Sequence, residues 1–413
     1  MTSAGNGGIA PPLINRDRAT AVLARCGLDA LVLTEPLNVY YATSKLPVLD
    51  RMTTSHQSVV VVPADAARPI SYVGPAFEYY YNVADRGVAA GVELHLASPA
   101  ASDPLKAADG ALMRALDKVP LEARELRRRE RAGGARFHAS VGAGLADVLA
   151  GARLEYGRIG IDSLDGHRLT GAAAPSASVR PAEDVVRHIR LVKTAAELAL
   201  LEAAAQANAR AMVRAVRGAR EARTLRGLRE RFFSEVALAG NTPIFMLVDG
   251  VMDETYDEPL VEGKAFLVDA VSHRAFYQGD YARTACIGEP SPELRRVTAA
   301  LALAWGEIRR QLRPGLRFSE IRAIGIRTLA EAGYDYTVAF KPHSVGLAHE
   351  DQPRTALDGG PIDLALVQGM VLSVDCPLLD VGVGGTAHLE DLTLITADGS
   401  RPIHAVDEPL ILV

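Results

Sequence analysis

Five side chains of the kinds that bind divalent metals recur in the C-terminal part of the chain, each within a short apolar phrase. They are Asp269, Asp280, His343, Asp375 and Glu390. Apolar runs such as residues 265–268 predict strands that face a common interior. An unpaired carboxylate in such an interior is destabilising by several kcal/mol, and a divalent cation removes that penalty. The set therefore predicts a metal site and, with it, an enzyme.

The spacing of the first two acids predicts a β-hairpin. Asp269 follows one apolar run, and Asp280, eleven positions later, precedes another at 285–287. Folding the chain back at Arg274 and Ala275 would place the two carboxylates directly opposite each other on one face, with Cβ atoms roughly 5 Å apart. Two such anions repel each other unless a cation lies between them. The alternative is that they are two unrelated aspartates at strand ends.

Length and charge restrict the class of protein. A chain of 413 residues exceeds one ordinary hydrophobic core, so we expect two domains. The net charge of −5 gives no electrostatic footprint for nucleic acid or for an anionic membrane, and neither is expected as a partner. The basic run at 127–129 is interleaved with Glu125 and Glu130. We interpret it as a solvated helix face or a loop.

The cysteines and the N-terminus bear on the compartment. Cys26, Cys286 and Cys376 are odd in number, lie far apart and form no CxxC pattern, which is typical of a reducing environment. The first residues show no signal-peptide pattern. No apolar run reaches the ~18 residues that a bilayer span requires. We therefore expect a soluble, cytoplasmic protein.

The first half of the chain alternates short helical and strand patterns, which predicts an α/β domain. We expect a flexible arm over residues 1–14, surface at 101–110, the last strand of the domain at 159–162, and a loop-like boundary at 171–180. The remaining predicted elements are helices at 16–25 and 38–42 and strands at 31–33, 58–62 and 70–73.

The second half of the chain predicts paired helices followed by strands. Thr194 is a good helix N-cap, and Glu197, three residues on, completes a capping box. Further helices are expected at 225–238, 292–312 and 318–332. Because each helix pair is followed by strands that carry candidate ligands, we expect a duplicated α+β unit.

The ligand phrases resemble the pita-bread metallohydrolase family, which includes methionine aminopeptidase, aminopeptidase P, prolidase and the non-peptidase creatinase. The hairpin ends in an Asp-x-x-Arg-Thr motif at 280–284, and His343 begins a His-x-x-Gly loop. The phrases at 369–371 and 389–391 are similar to those around the fourth and fifth ligands. Residues 190–197 resemble the opening of the catalytic domain in the two-domain members of the family. Residues 29–31 and 37–41 resemble the N-terminal domain of those members.

This resemblance implies an α+β fold with two parts. A creatinase/prolidase-like α/β domain, residues 1–182, would precede a pita-bread catalytic domain, residues 183–413. The resemblance also implies two divalent metals that are bound by the five residues named above and share Asp280 and Glu390. Oxygen-rich coordination with one imidazole suits Mn best, with Fe, Co or Zn as alternatives. The metals would activate a water molecule and polarise a substrate carbonyl. We further expect a homodimer.

Several residues are expected to act around the metals. His349 would hydrogen-bond the developing oxyanion or donate a proton to the leaving group, or else cap a backbone carbonyl. Asp375 would serve as both ligand and catalytic base. His388 would orient a ligand or have a structural role alone. Arg283 would pair with a ligand carboxylate or hold the strand edge. Cys376 is expected to pack in the core.

The sequence departs from the family pattern at positions that bear on substrate. The fourth ligand is usually Glu, and Asp375 is shorter by one C–C bond, roughly 1.5 Å. His349 follows His343 by six positions where seven is usual, His388 stands where prolidase-like members often have Arg, and the segment 249–260 lacks the substrate-contacting His. We expect a hydrolase of the Xaa-Pro aminopeptidase/prolidase type that acts on a dipeptide or small amide. The alternatives are a creatinase-like or lyase-type enzyme of a small non-peptide metabolite and a non-catalytic scaffold.

Overall fold

The computed structural model describes residues 12–45, 57–98, 118–132, 134–380, 382–404 and 408–413, apart from the side chains of residues 80 and 82. The chain divides into two compact units. The first ends at Ile189 and also contains Thr355–Gly360, and the second comprises Arg190–Arg354 and Pro361–Val413. This is a division by compactness, and the domain limits 1–182 and 183–413 stay a prediction.

The first unit is built on one mixed sheet. Its strands are β1 (Ala30–Leu33), β2 (Val59–Pro63), β3 (Ile70–Pro75), β4 (Val92–Ala97), β5 (Arg136–His138), β6 (Arg158–Ile161) and β7 (Ser178–Pro181). They lie in the order β5-β4-β3-β2-β1-β6-β7. Strand β2 pairs antiparallel with both of its neighbours, and the other pairs are parallel. The buried valines of β2 form the continuous apolar run that is typical of a strand covered on both faces.

The helices of the first unit confirm the expected alternation. They are α1 (Arg16–Cys26), α2 (Pro36–Thr43), α3 (Ala76–Glu78), which continues into a π-helical turn (Tyr79–Val83), α4 (Ala123–Ala132), α5 (Val141–Gly151), α6 (Leu164–Ala173) and α7 (Glu183–Arg190). The basic run lies on α4, where Arg127 and Arg129 are exposed, as a solvated helix face requires.

Three predictions for the first unit are wrong. Strand β6 is not the last strand, because α6 and β7 occupy most of the segment 171–180 that was expected to be a loop. Ser163 caps α6 by accepting a hydrogen bond from the Gly166 N–H at 2.9 Å, which outweighs the small-residue composition. Leu13 and Ile14, expected in the arm, are buried. The rest of the arm up to residue 11 and the segment 101–110 lie outside the described residues.

The second unit repeats an arrangement of helices followed by strands. Its helices are α8 (Ala195–Arg217), α9 (Ala219–Ala222), α10 (Leu225–Leu238), α11 (Pro292–Gln311) and α12 (Phe318–Glu331). Its strands are β8 (Thr242–Val248), β9 (Ala265–Arg274), β10 (Tyr277–Cys286), β11 (Lys341–Ser344), β12 (Val371–Asp375), β13 (Thr393–Ile395), β14 (Ser400–Pro402) and β15 (Leu410–Leu412). They form two four-stranded sheets, β15-β10-β9-β8 and β11-β12-β13-β14.

Each sheet of the second unit has its own core. Phe232 of α10 and Met212 of α8 pack with the first sheet, and Trp305 of α11 packs with the second. The capping box of α8 is present: the Thr194 N–H donates to Glu197 Oε2 at 2.8 Å, and the Glu197 N–H donates back to Thr194 Oγ1 at 3.3 Å. Among the described residues, no helix has the length and apolar character needed to cross a lipid bilayer.

Candidate metal centre

Strands β9 and β10 form the hairpin that carries the first two acids. Asp269 lies opposite Ala282, and Asp280 lies opposite Val271. The two aspartates therefore share one face of the sheet, as predicted, but they are diagonal neighbours. The prediction that they face each other directly is wrong. Diagonal neighbours lie roughly 7–8 Å apart, which leaves more room for a cation than direct opposition would.

The turn sets this register. The chain reverses at Ala275 and Phe276, whose φ angles are 47° and 68°, and not at Arg274 and Ala275. Positive φ at both central residues is the geometry of a two-residue hairpin turn that matches the strand twist. Gly279 then allows β10 to lie close to α8, because a Cβ atom at this position would be 2.7 Å from the Ala204 carbonyl oxygen.

Glu390 joins the hairpin through a backbone bridge. Its N–H donates to the Ala282 carbonyl at 3.1 Å, and the Ala282 N–H donates back at 3.3 Å. Because Ala282 lies opposite Asp269 and two residues after Asp280, this bridge brings a third carboxylate to the same place. Ser373 Oγ donates to Glu390 Oε1 at 2.6 Å. Asp280 and Glu390 are both fully buried.

His343 turns its Nε2 atom toward these carboxylates. Its Nδ1–H donates to the His349 carbonyl at 3.1 Å, so in the neutral ring Nε2 is free to bind a metal. Nε2 lies 3.2 Å from Glu390 Oε1, 3.6 Å from Asp280 Oδ2 and 3.8 Å from Asp375 Oδ1. The imidazole and three of the four acids named from the sequence thus converge on one point.

A buried ion-pair cluster holds the loop between His343 and His349. Asp351 lies just beyond this loop and is 2% exposed. Arg190 Nη2 lies 2.5 Å from its Oδ1, and Lys193 Nζ lies 3.5 Å from its Oδ2. Breaking a buried pair of this kind is strongly destabilising, because it leaves an uncompensated charge. The loop that carries both histidines is therefore fixed in place.

His349 occupies the accessible side of the cluster. Its side chain is 32% exposed, and Nε2 lies 3.2 Å from Asp280 Oδ2. The ring centroid lies 4.8 Å from that of His343, and the Phe245 ring contacts it edge-on at 5.7 Å. An imidazole that touches the ligand carboxylates and also reaches solvent is suitably placed to donate a proton to a substrate. Its catalytic role stays a prediction.

Asp375 and His388 complete the cluster. Asp375 ends β12, its side chain is 20% exposed, and its Oδ1 lies 3.9 Å from His388 Nε2. His388 is 4% exposed, and its Nε2 lies 3.5 Å from Glu390 Oε2. The sequence suggested only an orienting or structural role for His388, whereas the structure places its imidazole among the ligand atoms themselves.

Arg283 contacts the chain beside a ligand. Its Nη2 donates to Asp391 Oδ1 at 2.7 Å, its Nη1 to the Glu390 carbonyl at 2.9 Å, and its Nε to the Glu408 carbonyl at 2.9 Å. Of the two roles considered, holding the strand therefore describes these contacts. Cys376 is fully buried in the second sheet's core, as predicted.

Two acids of the metal-free cluster, Asp269 and Glu390, have raised pKa values. Burial, together with the negative charge of Asp280, raises the pKa of Asp269 to about 8. Burial and the charges of Asp280 and Asp375 raise the pKa of Glu390 well above its usual value. For Asp280 burial acts in the same direction, but the charges of His349 and His343 outweigh it and lower the pKa.

The three imidazoles differ in the direction in which their pKa values are shifted. Burial opposes protonation of His343, but the nearby carboxylates of Asp375, Glu390 and Asp280 outweigh burial and raise its pKa well above normal. The pKa of His349 is also raised, because the charge of Asp280 outweighs burial. Burial lowers the pKa of His388 to about 4. His388 is therefore neutral near pH 7, as a metal ligand must be.

The donor set fits divalent metal ions. Asp269 Oδ1, Asp280 Oδ1 and Glu390 Oε2 are buried and meet no donor with hydrogen-bonding geometry among the described residues. Buried carboxylate oxygens are otherwise paired or bound to metal. With Asp375, the four carboxylates would carry four negative charges when ionised, which two divalent cations neutralise. Oxygen donors with few nitrogens suit Mn, Fe and Co.

Sequence reasoning missed three residues that shape this centre. Ser373 lies opposite His343, and its position two before Asp375 on an alternating strand was a readable signal for the same face. Asp351 could be noticed only as a charge near the ligand loop, since its partners lie far away along the chain. Phe245 gave no signal. In the segment 249–260, Asp253, Glu254, Asp257 and Glu258 are exposed and Asp249 is half-buried, and these acids belong to neither ligand group.

Side chains from both sheets of the second unit form a carboxylate-rich centre with imidazoles, which is the donor set of a divalent-metal site. The sequence matches Metallopeptidase family M24 over residues 187–397, slightly more than half of the chain. The chain belongs to this family. The predicted pita-bread fold, preceded by a creatinase/prolidase-like domain, is confirmed.

Individual relatives agree with this family. Over 245 residues the chain is 29% identical to Probable dipeptidase PepE of Mycobacterium bovis, covering 56% of this chain and 63% of that protein. Over 243 residues it is 24% identical to the Xaa-Pro dipeptidase of Pyrococcus furiosus, covering 55% and 67%. The crystal structure of dipeptidase PepE from Mycobacterium ulcerans covers 96% of both chains, with a TM-score of 0.67 and 22% identity. The chain thus spans less than two thirds of the length of PepE from Mycobacterium bovis.

Proposed function

We propose that this chain is a metal-dependent dipeptidase of the Xaa-Pro type that holds two divalent cations, of which Mn²⁺ is the first choice. The observation that carries this proposal is a pair of ligand groups that share one carboxylate, Glu390. Within each group, the ligand atoms lie within 4.8 Å of one another; the groups are Asp280, His343, His349 and Glu390, and Asp269, His388 and Glu390. A shared carboxylate is what a bridged pair of cations requires.

The roles of the residues follow from their positions. When bound, the cations supply Lewis-acid activation of a water molecule and of the scissile carbonyl. Asp375, partly exposed at the edge of the cluster, accepts the proton of that water. His349 Nε2–H then donates to the developing oxyanion or to the leaving nitrogen.

The names of the relatives support a dipeptide substrate. PepE of Mycobacterium bovis is named a probable dipeptidase, and the protein of Pyrococcus furiosus is named an Xaa-Pro dipeptidase. The test is hydrolysis of an Xaa-Pro dipeptide panel by the Mn²⁺-loaded protein, with matched non-proline dipeptides and small amides. We expect turnover of Xaa-Pro dipeptides that Asp280→Asn abolishes and that Asp358→Asn, an exposed control, preserves. No turnover of any dipeptide would contradict the proposal.

Asp375 favours a second candidate function. A carboxylate one methylene shorter than the usual ligand sits 3.9 Å from a second imidazole, that of His388, and alters the place where water would be activated. This arrangement favours a small non-peptide metabolite. Turnover of small amides without dipeptide cleavage in the same panel would support it. A scaffold without catalysis would purify without stoichiometric metal.

Two further properties belong to this proposal. We propose a homodimer in the cytoplasm, in line with the expectation from the sequence. Light scattering coupled to size-exclusion chromatography should give twice the 43.9 kDa mass of the chain. A monomer at micromolar concentration would contradict the dimer, and recovery of the native protein from a membrane or extracellular fraction would contradict the compartment.

A further inference from the structure

His388 is a buried imidazole that lies outside the five-residue ligand set. It lies two positions before Glu390, so both side chains leave the chain on the same side. The residue is 4% exposed. A buried imidazole beside buried carboxylates is either a hydrogen-bonding neighbour of the metal ligands or a ligand itself, and the distances distinguish the two.

The distances from His388 are those of a shared metal and not of hydrogen bonds. Its Nε2 lies 3.5 Å from Glu390 Oε2 and 3.9 Å from Asp375 Oδ1. Hydrogen bonds between nitrogen and carboxylate oxygen are shorter, typically about 2.7–2.9 Å when charged. Ligands at about 2.1 Å from one ion lie roughly 3 Å apart at right angles and about 4 Å apart when opposite. Both observed separations fall within that interval.

The ligand groups place His388 on one side of the centre. Its ligand nitrogen lies within 4.8 Å of Asp269 and Glu390, whereas His343 and His349 belong to the other group with Asp280. Without His388, the ligand group that contains Asp269 would consist of carboxylates alone. With it, each of the two positions has an imidazole of its own.

The backbone of His388 is anchored to strand β10. The His388 N–H donates to Thr284 Oγ1 at 3.0 Å, and Thr284 Oγ1 donates to the His388 carbonyl at 3.1 Å. Thr284 is fully buried and lies four residues after Asp280 on the same strand. The imidazole is therefore held by the same element that carries a ligand, which is the rigid support that a metal site needs.

We propose that His388 Nε2 is a sixth metal ligand, which binds the cation on the Asp269 side of the centre. The proposal rests on the two-cation function proposed above and adds a nitrogen donor to its second position. An imidazole there disfavours Mg²⁺ and Ca²⁺, which prefer oxygen ligands only, and favours Mn²⁺, Fe²⁺, Co²⁺ or Zn²⁺.

X-ray absorption of the Co²⁺-loaded protein tests this directly, because it counts imidazoles per metal without a need for activity. The wild-type protein should bind two ions with about one imidazole per ion. With Co²⁺ in enough excess to keep both ions bound, His388→Gln should lower that number by half. In titrations, the variant should bind the second ion more weakly, by more than the ~10–100-fold that residues acting on a ligand from outside cause. His273→Ala, a histidine outside both ligand groups, is the matched control and should change neither quantity.

A second variant distinguishes the loss of a ligand from misfolding. In His388→Gly, free imidazole should restore the second ion, because the ligand itself is returned to its place. If His388→Gln binds two ions with an unchanged number of imidazoles per ion, His388 is not a ligand. That result would leave the proposed function intact. A wild-type protein that takes up no stoichiometric metal would overturn the proposed function as well, so the two failures are distinguishable.

Discussion

Replacement of Arg283 by Met should destabilise the second unit severely, because this side chain holds the backbone of a ligand. Arg283 is 1% exposed and donates hydrogen bonds to Asp391 and to the carbonyls of Ala282, Glu390 and Glu408. Methionine fills a similar volume but has no donor. Four acceptors would each lose one donor, and one of them, Asp391, is a buried carboxylate.

The size of the stability loss follows from the Asp391 carboxylate, which would stay buried without its cationic partner. Burial would raise the pKa of Asp391, but the charges of Arg283 and His404 outweigh it and hold the pKa at about 2. Without Arg283, the Asp391 carboxylate keeps its bond from Trp305 Nε1, at 3.0 Å, and the nearby His404. Removing one partner of a buried pair costs about 3–5 kcal/mol. At about 2–4 °C per kcal/mol for a unit of this size, Tm should fall by roughly 6–20 °C.

Calorimetry of the metal-free protein measures this loss. Arg310→Met is the matched control: Arg310 pairs with Glu307 at 2.6 Å but is 71% exposed, and surface pairs contribute about 1 kcal/mol or less. The double variant Arg283→Met/Asp391→Leu should recover more than half of the loss, because no unpaired charge remains. Equal Tm values for Arg283→Met and Arg310→Met would refute the reasoning.

Three further predictions concern the centre itself. His349→Ala should keep its metal, measured by mass spectrometry, and lose kcat by about 10²–10⁴-fold, the range for general acid–base catalysis; loss of metal would make His349 a ligand instead. Asp269, with its pKa raised to about 8, is protonated in the metal-free protein and ionised once unfolded. The stability that Asp269 contributes to the metal-free protein, measured as the difference between the wild type and Asp269→Asn, should therefore fall as pH rises from about 4 to 8. Mn²⁺ uptake at pH 7 should release protons in calorimetry, and uptake without proton release would contradict this. Asp375→Glu should show no gain in Xaa-Pro hydrolysis with Mn²⁺ in excess and should bind metal more weakly, because the added methylene pushes the carboxylate into the metal space; a large gain would indicate a weakened prolidase.

Local signals in the sequence predicted the helices of the second unit closely. The capping box of Thr194 and Glu197 and the span of α10 are as expected, because caps and apolar periodicity are properties of neighbouring residues. The segment 171–180 was misjudged because its small residues suggested a loop. The N-cap at Ser163 was a signal for α6 that composition alone obscured.

The site was predictable in its residues and not in its detailed geometry. The shared face of Asp269 and Asp280 followed from their spacing. The register did not, because Ala275 and Phe276 adopt positive φ without the Gly or Asn that usually announces such a turn. Contacts such as that of Arg283 with Asp391 join residues more than a hundred positions apart, and a single sequence carries no information about them.

Metal stoichiometry tests the central claim most directly. The Mn²⁺-loaded protein, desalted and analysed by mass spectrometry, should carry two metal ions per chain. Asp280→Asn keeps the size of the side chain but removes one charge from the fully buried cluster, and it should lose most of the bound metal. Asp358→Asn should retain both ions. A wild-type protein without stoichiometric metal, or an Asp280→Asn variant that keeps both ions, would contradict the assignment of this cluster as a metal centre.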